Sequence, residues 1–239
     1  MIEVSRIKAI LFDSGRVLTR PRTGHWFIPP NFYNYVNKDV FELIPDESLD
    51  RAFQKGMDYL ESRNFIASEE EELEHFCHFY RLFLLELPGI GLCEHEVEKI
   101  AEDTVLNDEK FFFFEDVFEV IPRLGQKYLL GVVSDTWPSL DRVFKNVGLR
   151  EYFSTFVMSS ILGVIKPHEL MYNTALKELG LRPEEALFID DNLSNLEGAK
   201  KLGIQTILMV REESPDLCDL EHECISNLNN LEKLLGISQ

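Results

Sequence analysis

A repeating order of short apolar segments and amphipathic segments constrains the fold of this chain most strongly. Apolar segments occupy residues 8–13, 128–134, 156–158, 186–190 and 205–209. Between them, apolar residues recur at helical spacing, and a glycine follows the last one at Gly148, Gly180 and Gly203. Glycine commonly caps the C-terminal end of a helix. Alternating buried strands and helices predict an α/β fold of doubly wound type, a parallel sheet with helices on both faces.

Residues 20–110 depart from this order because they contain almost no strand pattern. Apolar residues at helical spacing predict one helix, at Leu49, Phe53, Met57 and Leu60. Ser68 and Glu71 form a capping box before an apolar stripe, which predicts the start of a second helix. We therefore predict a core formed by residues 1–19 and 111–239. Residues 20–110 are predicted to be a helical insert between the first and second strands of the sheet.

Composition and charge restrict the partners of the chain. Its 239 residues carry 24 Lys and Arg against 42 Asp and Glu, for a formal net charge of −18. Such a surface repels phosphate backbones and anionic lipids, so we expect no nucleic-acid and no membrane partner. No apolar segment reaches the roughly 18 residues of a membrane helix, and the N-terminus lacks the layout of a signal peptide. The four scattered cysteines are typical of reduced thiols, and we expect a cytoplasmic protein.

Polar residues follow the predicted strands at the edge where an open parallel sheet binds its ligands. These residues are Asp13, Ser134, the pair Asp190 and Asp191, and, after an irregular segment, Lys166. Carboxylates crowded together repel one another unless a cation lies among them. A divalent cation with oxygen ligands satisfies this need, and Mg²⁺ usually acts together with phosphate groups. The lysine would offset negative charge that a substrate brings.

Four segments carry a family resemblance. Leu11–Leu18, Val132–Ser134, Gly163–Glu169 and Phe188–Ala199 resemble, in order, the four motifs of the haloacid dehalogenase (HAD) superfamily of hydrolases. The match covers essentially the whole predicted core, with the insert at the expected place. The resemblance implies a Rossmann-like doubly wound parallel sheet with an inserted α-helical cap domain. It also implies a phosphatase-like site.

The resemblance assigns the nucleophile and the metal ligands. Asp13 would attack phosphorus and form an aspartyl-phosphate, which water later hydrolyses. Asp13 and Asp191 would also bind Mg²⁺ through their carboxylates. The backbone carbonyl of Gly15 would be the third protein ligand.

The resemblance also assigns residues around the phosphoryl group. Ser134 would donate a hydrogen bond to a phosphoryl oxygen, and Lys166 would neutralise the equatorial oxygens and steady Asp13. Asp190 would lie outside direct metal contact, toward Lys166. Asn195 occupies a position that often holds a metal-bound water in the family.

Gly15 departs from the usual phosphatase motif, which has an acid/base aspartate at this position. General acid/base assistance is worth about 10²–10⁴ in rate. Three interpretations follow: another side chain serves, with His25 the nearest candidate in sequence; the leaving group needs little protonation; or the protein is slow or inert. Dehalogenating members also lack this aspartate but work without metal, so the Asp190–Asp191 pair favours a phosphatase.

We therefore predict a Mg²⁺-dependent phosphohydrolase that acts on a small soluble phosphomonoester, with sugar phosphates among the candidates. One alternative is a metal-independent dehalogenase-like hydrolase. The other is a catalytically weak binding or regulatory protein that keeps the fold. Arg20, Arg22 and His25 are candidates for binding an anionic or sugar group at the substrate entrance; the alternative is a hinge segment with ordinary surface cations. The sequence predicts no oligomeric state.

Overall fold

A six-stranded parallel sheet organises most of the chain. The computed structural model describes residues 2–63, 65–211 and 223–237. Its strands are β1 (Ala9–Phe12), β2 (Thr19–Pro21), β3 (Phe111–Phe113), β4 (Leu129–Ser134), β5 (Phe153–Met158), β6 (Ala186–Asp190), β7 (Gln205–Met209) and β8 (Glu223–Ile225). The main sheet has the order β5-β4-β1-β6-β7-β8, and β2 pairs with β3 in a separate two-stranded sheet.

Helices lie between most of the consecutive strands and after β8. They are α1 (Lys38–Glu42), α2 (Asp46–Glu61), α3 (Glu69–Leu85), α4 (Glu94–Leu106), α5 (Glu115–Leu124), α6 (Ser139–Asn146), α7 (Ser159–Leu162), α8 (Glu169–Leu179), α9 (Leu193–Lys201) and α10 (Leu228–Leu234). The predicted α/β class with a parallel sheet is confirmed. The short strands β2, β3 and β8 were not predicted, because runs this short carry little periodicity of their own.

Strand β1 lies at the centre of the sheet, between β4 and β6. All its residues are 0 % exposed, as expected of a strand covered on both faces. The chain adds β4 and β5 on one side of β1, then returns to add β6, β7 and β8 on the other. Such a reversal of strand order marks the place where open α/β sheets bind ligands, at the carboxyl ends of the strands.

Both faces of the sheet are packed. On one face, strand residues such as Leu11 and Phe188 form a buried cluster with Met171 and Tyr172 of α8 and Leu196 of α9. On the opposite face, Phe12 meets Phe153 edge-on, with 6.4 Å between ring centroids, and Phe153 in turn meets Phe144 of α6 at 5.6 Å. Neighbouring residues of β1 therefore point to opposite layers, as the two-residue period of a strand requires.

The buried face of α8 differs from the predicted one. The helical spacing of Leu170, Thr174, Ala175 and Leu179 before Gly180 predicts one buried face, but Leu170 is 41 % exposed. Met171, Tyr172, Ala175 and Leu176 are buried instead. These four residues pack in the cluster that contains Leu11 of β1 and Phe188 of β6, and this packing decides which face of the helix is buried.

The chain divides into two compact units. The sheet unit consists of residues 1–20, 113–136 and 140–239, and the helical unit of residues 21–112 and 137–139. The helical unit thus begins one residue after the start of the predicted insert and ends two residues after its end. It also includes Trp137, Pro138 and Ser139 from the segment after β4.

The helical unit has its own core, built mainly on α2 and α3. Phe76, Phe79 and Phe83 of α3 are all 0 % exposed. Gly56 lets α2 approach this stripe, because a Cβ atom there would lie 2.5 Å from the Phe79 ring. Ser68 caps α3 by accepting a hydrogen bond from Glu71 N, 3.2 Å away, as its sequence pattern predicts.

Two charged residues are buried in this helical unit. Glu72, which is 0 % exposed, accepts hydrogen bonds from Ser139 N at 2.8 Å and Ser139 Oγ at 2.7 Å. Burial raises the pKa of the Glu72 carboxyl to about 7, against the Ser139 hydrogen bonds and the charge of Lys110. Lys110 donates to the Thr104 carbonyl at 3.0 Å, and burial lowers its pKa to about 8.

The stability of the protein should decrease as the pH rises through the titration of Glu72. Between its ordinary value of 4.5 and about 7, the folded state holds a proton that the unfolded state has lost. The free energy of unfolding should therefore fall, by about 2 kcal/mol between about pH 5 and about pH 7.5 from this residue alone. Urea unfolding of the wild type and of Glu72→Gln at both pH values measures this difference. Parallel pH dependences in the two proteins would contradict it.

No helix among the described residues is long and apolar enough to cross a membrane. Cys218, one of the four cysteines considered in the sequence, lies outside the described residues.

Candidate active site

Three polar residues lie where β1, β4 and β6 end. Asp13 follows β1, Ser134 ends β4 and Asp190 ends β6. Parallel pairing aligns Phe12 of β1 with Val132 and with Ile189, and Asp13 N donates to the Ile189 carbonyl at 2.9 Å. These ends therefore lie at the same edge of the sheet. Asp13 is 7 %, Ser134 3 % and Asp190 0 % exposed.

Lys166 joins two of these strand ends. Its ammonium lies 2.7 Å from Asp13 Oδ1 and 2.7 Å from Asp190 Oδ2, and its side chain is 2 % exposed. Burial acts to lower the pKa of Lys166, but the charges of Asp13, Asp190 and Asp135 outweigh it and hold the pKa above its usual range. The lysine is therefore a fixed cation and not a proton donor at neutral pH.

Asp190 is held from several sides. Besides Lys166, its carboxylate accepts from Asn192 N at 2.8 Å and from Asn195 Nδ2 at 3.1 and 3.2 Å. Tyr172 donates to the Asn195 carbonyl at 2.8 Å, which fixes the start of α9 beneath the site. Burial raises the pKa of Asp190 while Lys166 opposes this effect. Asp190 thus anchors Lys166, and Asn195 contacts Asp190.

Carboxylate oxygens of Asp13, Asp190 and Asp191 lie within 4.8 Å of one another. Lys166 already binds Asp13 and Asp190, whereas Asp191 has a looser ion pair with Arg16 at 3.7 Å. Burial and the charge of Asp13 raise the pKa of Asp191, with Arg16 opposing. Three carboxylates around one buried ammonium leave excess negative charge, and oxygen donors suit a hard divalent cation. The residues present therefore fit Mg²⁺.

The segment after β1 forms a tight turn. Arg16 has φ of 57°, in the left-handed region that residues with side chains rarely adopt. Its N–H donates to the Thr19 carbonyl at 2.6 Å, and Leu18 N donates to the Ser14 carbonyl at 2.9 Å. Arg211 Nη2 donates to the Val17 carbonyl at 2.7 Å. These bonds hold the backbone around Gly15 next to Asp13.

Gly198 allows the Lys166 loop to approach α9. A Cβ atom on Gly198 would lie 2.5 Å from Pro167 Cβ and 3.1 Å from the Pro167 carbonyl oxygen. Only glycine permits this contact. It joins Pro167, the residue after Lys166, to the second turn of α9, which starts at Leu193. A glycine inside a helical pattern is the sequence signal of such a close approach.

Of the three predicted substrate-binding residues, Arg20 belongs to the same unit as the strand ends, whereas Arg22 and His25 belong to the helical unit. Arg20 is exposed on β2. Arg22 Nε donates to the Glu109 carbonyl at 2.6 Å. His25 Nδ1 accepts from Phe27 N at 3.2 Å, and its ring lies 4.3 Å from the Phe53 ring. Their role in binding substrate stays a prediction.

Asp135 is a site residue that the sequence reasoning did not assign. It directly follows Ser134, and its Oδ1 accepts from Lys166 N at 2.9 Å. The only signal in the sequence is its position beside Ser134, which fits a turn or helix cap equally well.

The chain is similar in sequence to hydrolases of one family. A model of haloacid dehalogenase-like hydrolases matches residues 53–209, more than half of the chain. A glyceraldehyde 3-phosphate phosphatase of Methanopyrus kandleri is 27 % identical over 224 residues, covering 88 % of this chain and 87 % of that protein.

Solved structures share the fold. An HAD phosphatase from Thermococcus onnurineus has a TM-score of 0.64 and 22 % identity, covering 96 % of this chain and 98 % of that one. An L-2-haloacid dehalogenase from Xanthobacter autotrophicus has a TM-score of 0.67 and 18 % identity, with coverage of 96 % and 98 %. The match of the family model and the similarity to these relatives show that the chain belongs to the haloacid dehalogenase-like hydrolases of the HAD superfamily.

Proposed function

We propose that this hydrolase is a Mg²⁺-dependent phosphohydrolase that acts on a small phosphomonoester through an aspartyl-phosphate at Asp13. The observation that carries the proposal is the bridge of Lys166 to Asp13 and Asp190, 2.7 Å on each side, beside the further carboxylate of Asp191. The buried Lys166 ammonium orients the Asp13 carboxylate for attack on an anionic phosphoryl group. A divalent cation held by the excess carboxylates would neutralise part of the negative charge of that group.

Mg²⁺ would be held by Asp13, Asp191 and the backbone carbonyl of Gly15. When bound, the ion would neutralise negative charge on the phosphoryl oxygens and on the crowded carboxylates. Asp190 would stay with Lys166, since its oxygens already accept from Lys166, Asn192 and Asn195.

In the first step, a carboxylate oxygen of Asp13 attacks phosphorus, and the bond from phosphorus to the leaving oxygen breaks. Lys166 holds Asp13 Oδ1, which restricts rotation of the carboxylate and fixes the attacking group. Ser134, at the end of the neighbouring strand, would donate its hydroxyl to a phosphoryl oxygen. In the second step, water attacks the same phosphorus and releases phosphate and the Asp13 carboxylate.

The relatives support the reaction class. A glyceraldehyde 3-phosphate phosphatase that aligns over most of both chains favours a small phosphorylated metabolite as substrate. Sugar phosphates remain candidates. The cytoplasmic location expected from the sequence remains a prediction.

Dehalogenation is the second candidate, and two observations favour it. Gly15 provides no side chain beside the nucleophile, and the fold matches a haloacid dehalogenase with a TM-score of 0.67. The excess of carboxylates opposes it, because a site for a halocarboxylate has no need of a divalent cation.

Metal dependence separates the candidates. The full chain is first stripped of metal with EDTA. Adding Mg²⁺ should then increase its rate of hydrolysis of p-nitrophenyl phosphate and of members of a phosphometabolite panel by a factor of roughly 10² or more. Chloride release from L-2-chloropropionate, measured in parallel, should stay at background. Acid-quenched enzyme should carry one phosphoryl group on the peptide that contains Asp13, as mass spectrometry would detect.

Each other outcome leads to a different conclusion. Metal-independent chloride release would establish the dehalogenase. Binding of a phosphometabolite without turnover of any substrate would establish a binding protein. Mg²⁺-dependent phosphate release without phosphorylation of Asp13 would retain the phosphatase and reject the intermediate.

A further inference from the structure

Hydrolysis of an alkyl phosphate needs a proton for the leaving oxygen, and most groups of the site are already committed. Gly15 has no side chain. The Lys166 ammonium is held by two carboxylates, which favours its charged form. Asp13 is the nucleophile, and Asp190 accepts from Lys166 and Asn195. Asp191 is assigned to the metal.

Asp135 is the one remaining carboxyl group among the residues directly after β1, β4 and β6 in the described chain. It lies next to buried Ser134 in the sequence, but its own side chain reaches solvent. Oδ1 accepts from Lys166 N at 2.9 Å, so the carboxyl group is tied to the backbone of the residue whose ammonium holds Asp13. The group is therefore positioned at the site and can still exchange protons with water.

The electrostatic surroundings of Asp135 agree with this location. Desolvation among the surrounding protein atoms raises the pKa of the Asp135 carboxyl, although the Lys166 ammonium and the hydrogen bond from Lys166 N act to lower it; the charge of Asp13 raises it as well. Charge coupling to both Asp13 and Lys166 means that an approaching phosphoryl group, which adds negative charge, would favour the protonated form further.

We propose that Asp135 is the catalytic acid and base of this site, in place of a side chain at position 15; this inference rests on the proposed phosphohydrolase function. In the first step, the Asp135 carboxyl transfers its proton to the leaving oxygen as the bond between phosphorus and that oxygen breaks and the bond from Asp13 to phosphorus forms. The products are an alcohol, the aspartyl-phosphate and the Asp135 carboxylate.

In the second step, the Asp135 carboxylate takes a proton from water as the water oxygen attacks phosphorus. The bond from phosphorus to Asp13 breaks, and its electron pair returns to the Asp13 carboxylate. Phosphate leaves, and Asp135 is protonated again. The cycle consumes one water and needs no other reactant.

The test compares Asp135→Asn and Asp135→Ala on substrates with good and poor leaving groups. Asparagine keeps an oxygen that can accept from Lys166 N but carries no exchangeable acid proton, whereas alanine removes both. For glycerol 3-phosphate, kcat should fall by roughly 10²–10⁴ in both variants. For p-nitrophenyl phosphate, whose leaving group needs no proton, the phosphorylation rate measured in the burst phase should fall by less than about tenfold.

Controls separate this role from structure and charge. Glu119→Gln, on the exposed side of α5 in the same unit, makes an equal change in net charge and should not alter either rate. If Asp135→Asn behaves as wild type with glycerol 3-phosphate and only Asp135→Ala is slow, Asp135 merely ties Lys166 and the inference is wrong. Equal losses on both substrates would also overturn it. Neither result would affect the proposed function, which is tested separately on the wild-type enzyme by Mg²⁺-dependent phosphate release and by phosphorylation of Asp13.

Discussion

Asp13→Asn should lower kcat for phosphate release by roughly 10⁴-fold or more, the largest effect expected of any single change in this protein. The amide is not a nucleophile toward phosphorus, so no aspartyl-phosphate can form. The fold should survive, because the carbonyl oxygen of the introduced amide can still accept from Lys166, as Asp13 Oδ1 does at 2.7 Å. Steady-state kinetics with p-nitrophenyl phosphate, together with thermal unfolding, measures both quantities.

Asparagine can revert slowly to aspartate by deamidation, so Asp13→Ala provides a second measurement that cannot recover activity. Glu119→Gln should retain wild-type kcat and serves as the charge control. If Asp13→Ala turns over phosphate at the wild-type rate, Asp13 is not the nucleophile, whatever the metal dependence.

Lys166→Met should remove activity and also destabilise the sheet unit. Asp190 is 0 % exposed and would keep only its hydrogen bonds from Asn192 and Asn195. Removing one partner of a buried ion pair typically costs about 3–5 kcal/mol, because the remaining charge is left in a poorly solvated place. Urea unfolding measures the loss of stability, and p-nitrophenyl phosphate turnover measures the loss of function.

The double variant Lys166→Met with Asp190→Asn separates the two effects. It removes the stranded carboxylate as well as the cation, so part of the lost stability should return. Activity should not return, because Asp13 still lacks the ammonium that orients it. If Lys166→Met is as stable as wild type, the buried bridge does not have the energetic role assigned to it.

The sheet and the insert could be predicted because their signals are local. The segments at 8–13, 186–190 and 205–209 are mostly apolar, since both faces of a central parallel strand are covered, and they become β1, β6 and β7. The capping box at Ser68 likewise places the start of α3 within a few residues. For α8 the local pattern predicted a face that was partly wrong, and packing against Leu11 and Phe188 decided which side chains are buried.

The candidate site was less fully predictable. The four motif segments pointed to Asp13, Ser134, Lys166, Asp190 and Asp191, and the ends of the parallel strands bring these segments to one edge. Asp135 escaped assignment because its partner is the backbone N–H of Lys166, 31 positions further along the chain. A contact between a side chain and a distant backbone group leaves no periodic pattern in the sequence.

The sequence by itself determined the alternation of strands and helices, the helical insert and the acidic residues that end the strands, because each depends on neighbouring residues and on hydrophobic burial. Only the tertiary structure decided that one ammonium lies 2.7 Å from both Asp13 and Asp190, which are 153 and 24 positions away. It also decided that Gly198 admits Pro167 and that Glu72 binds Ser139. Distances between such remote groups depend on how whole elements pack, and this packing is a property of the folded chain.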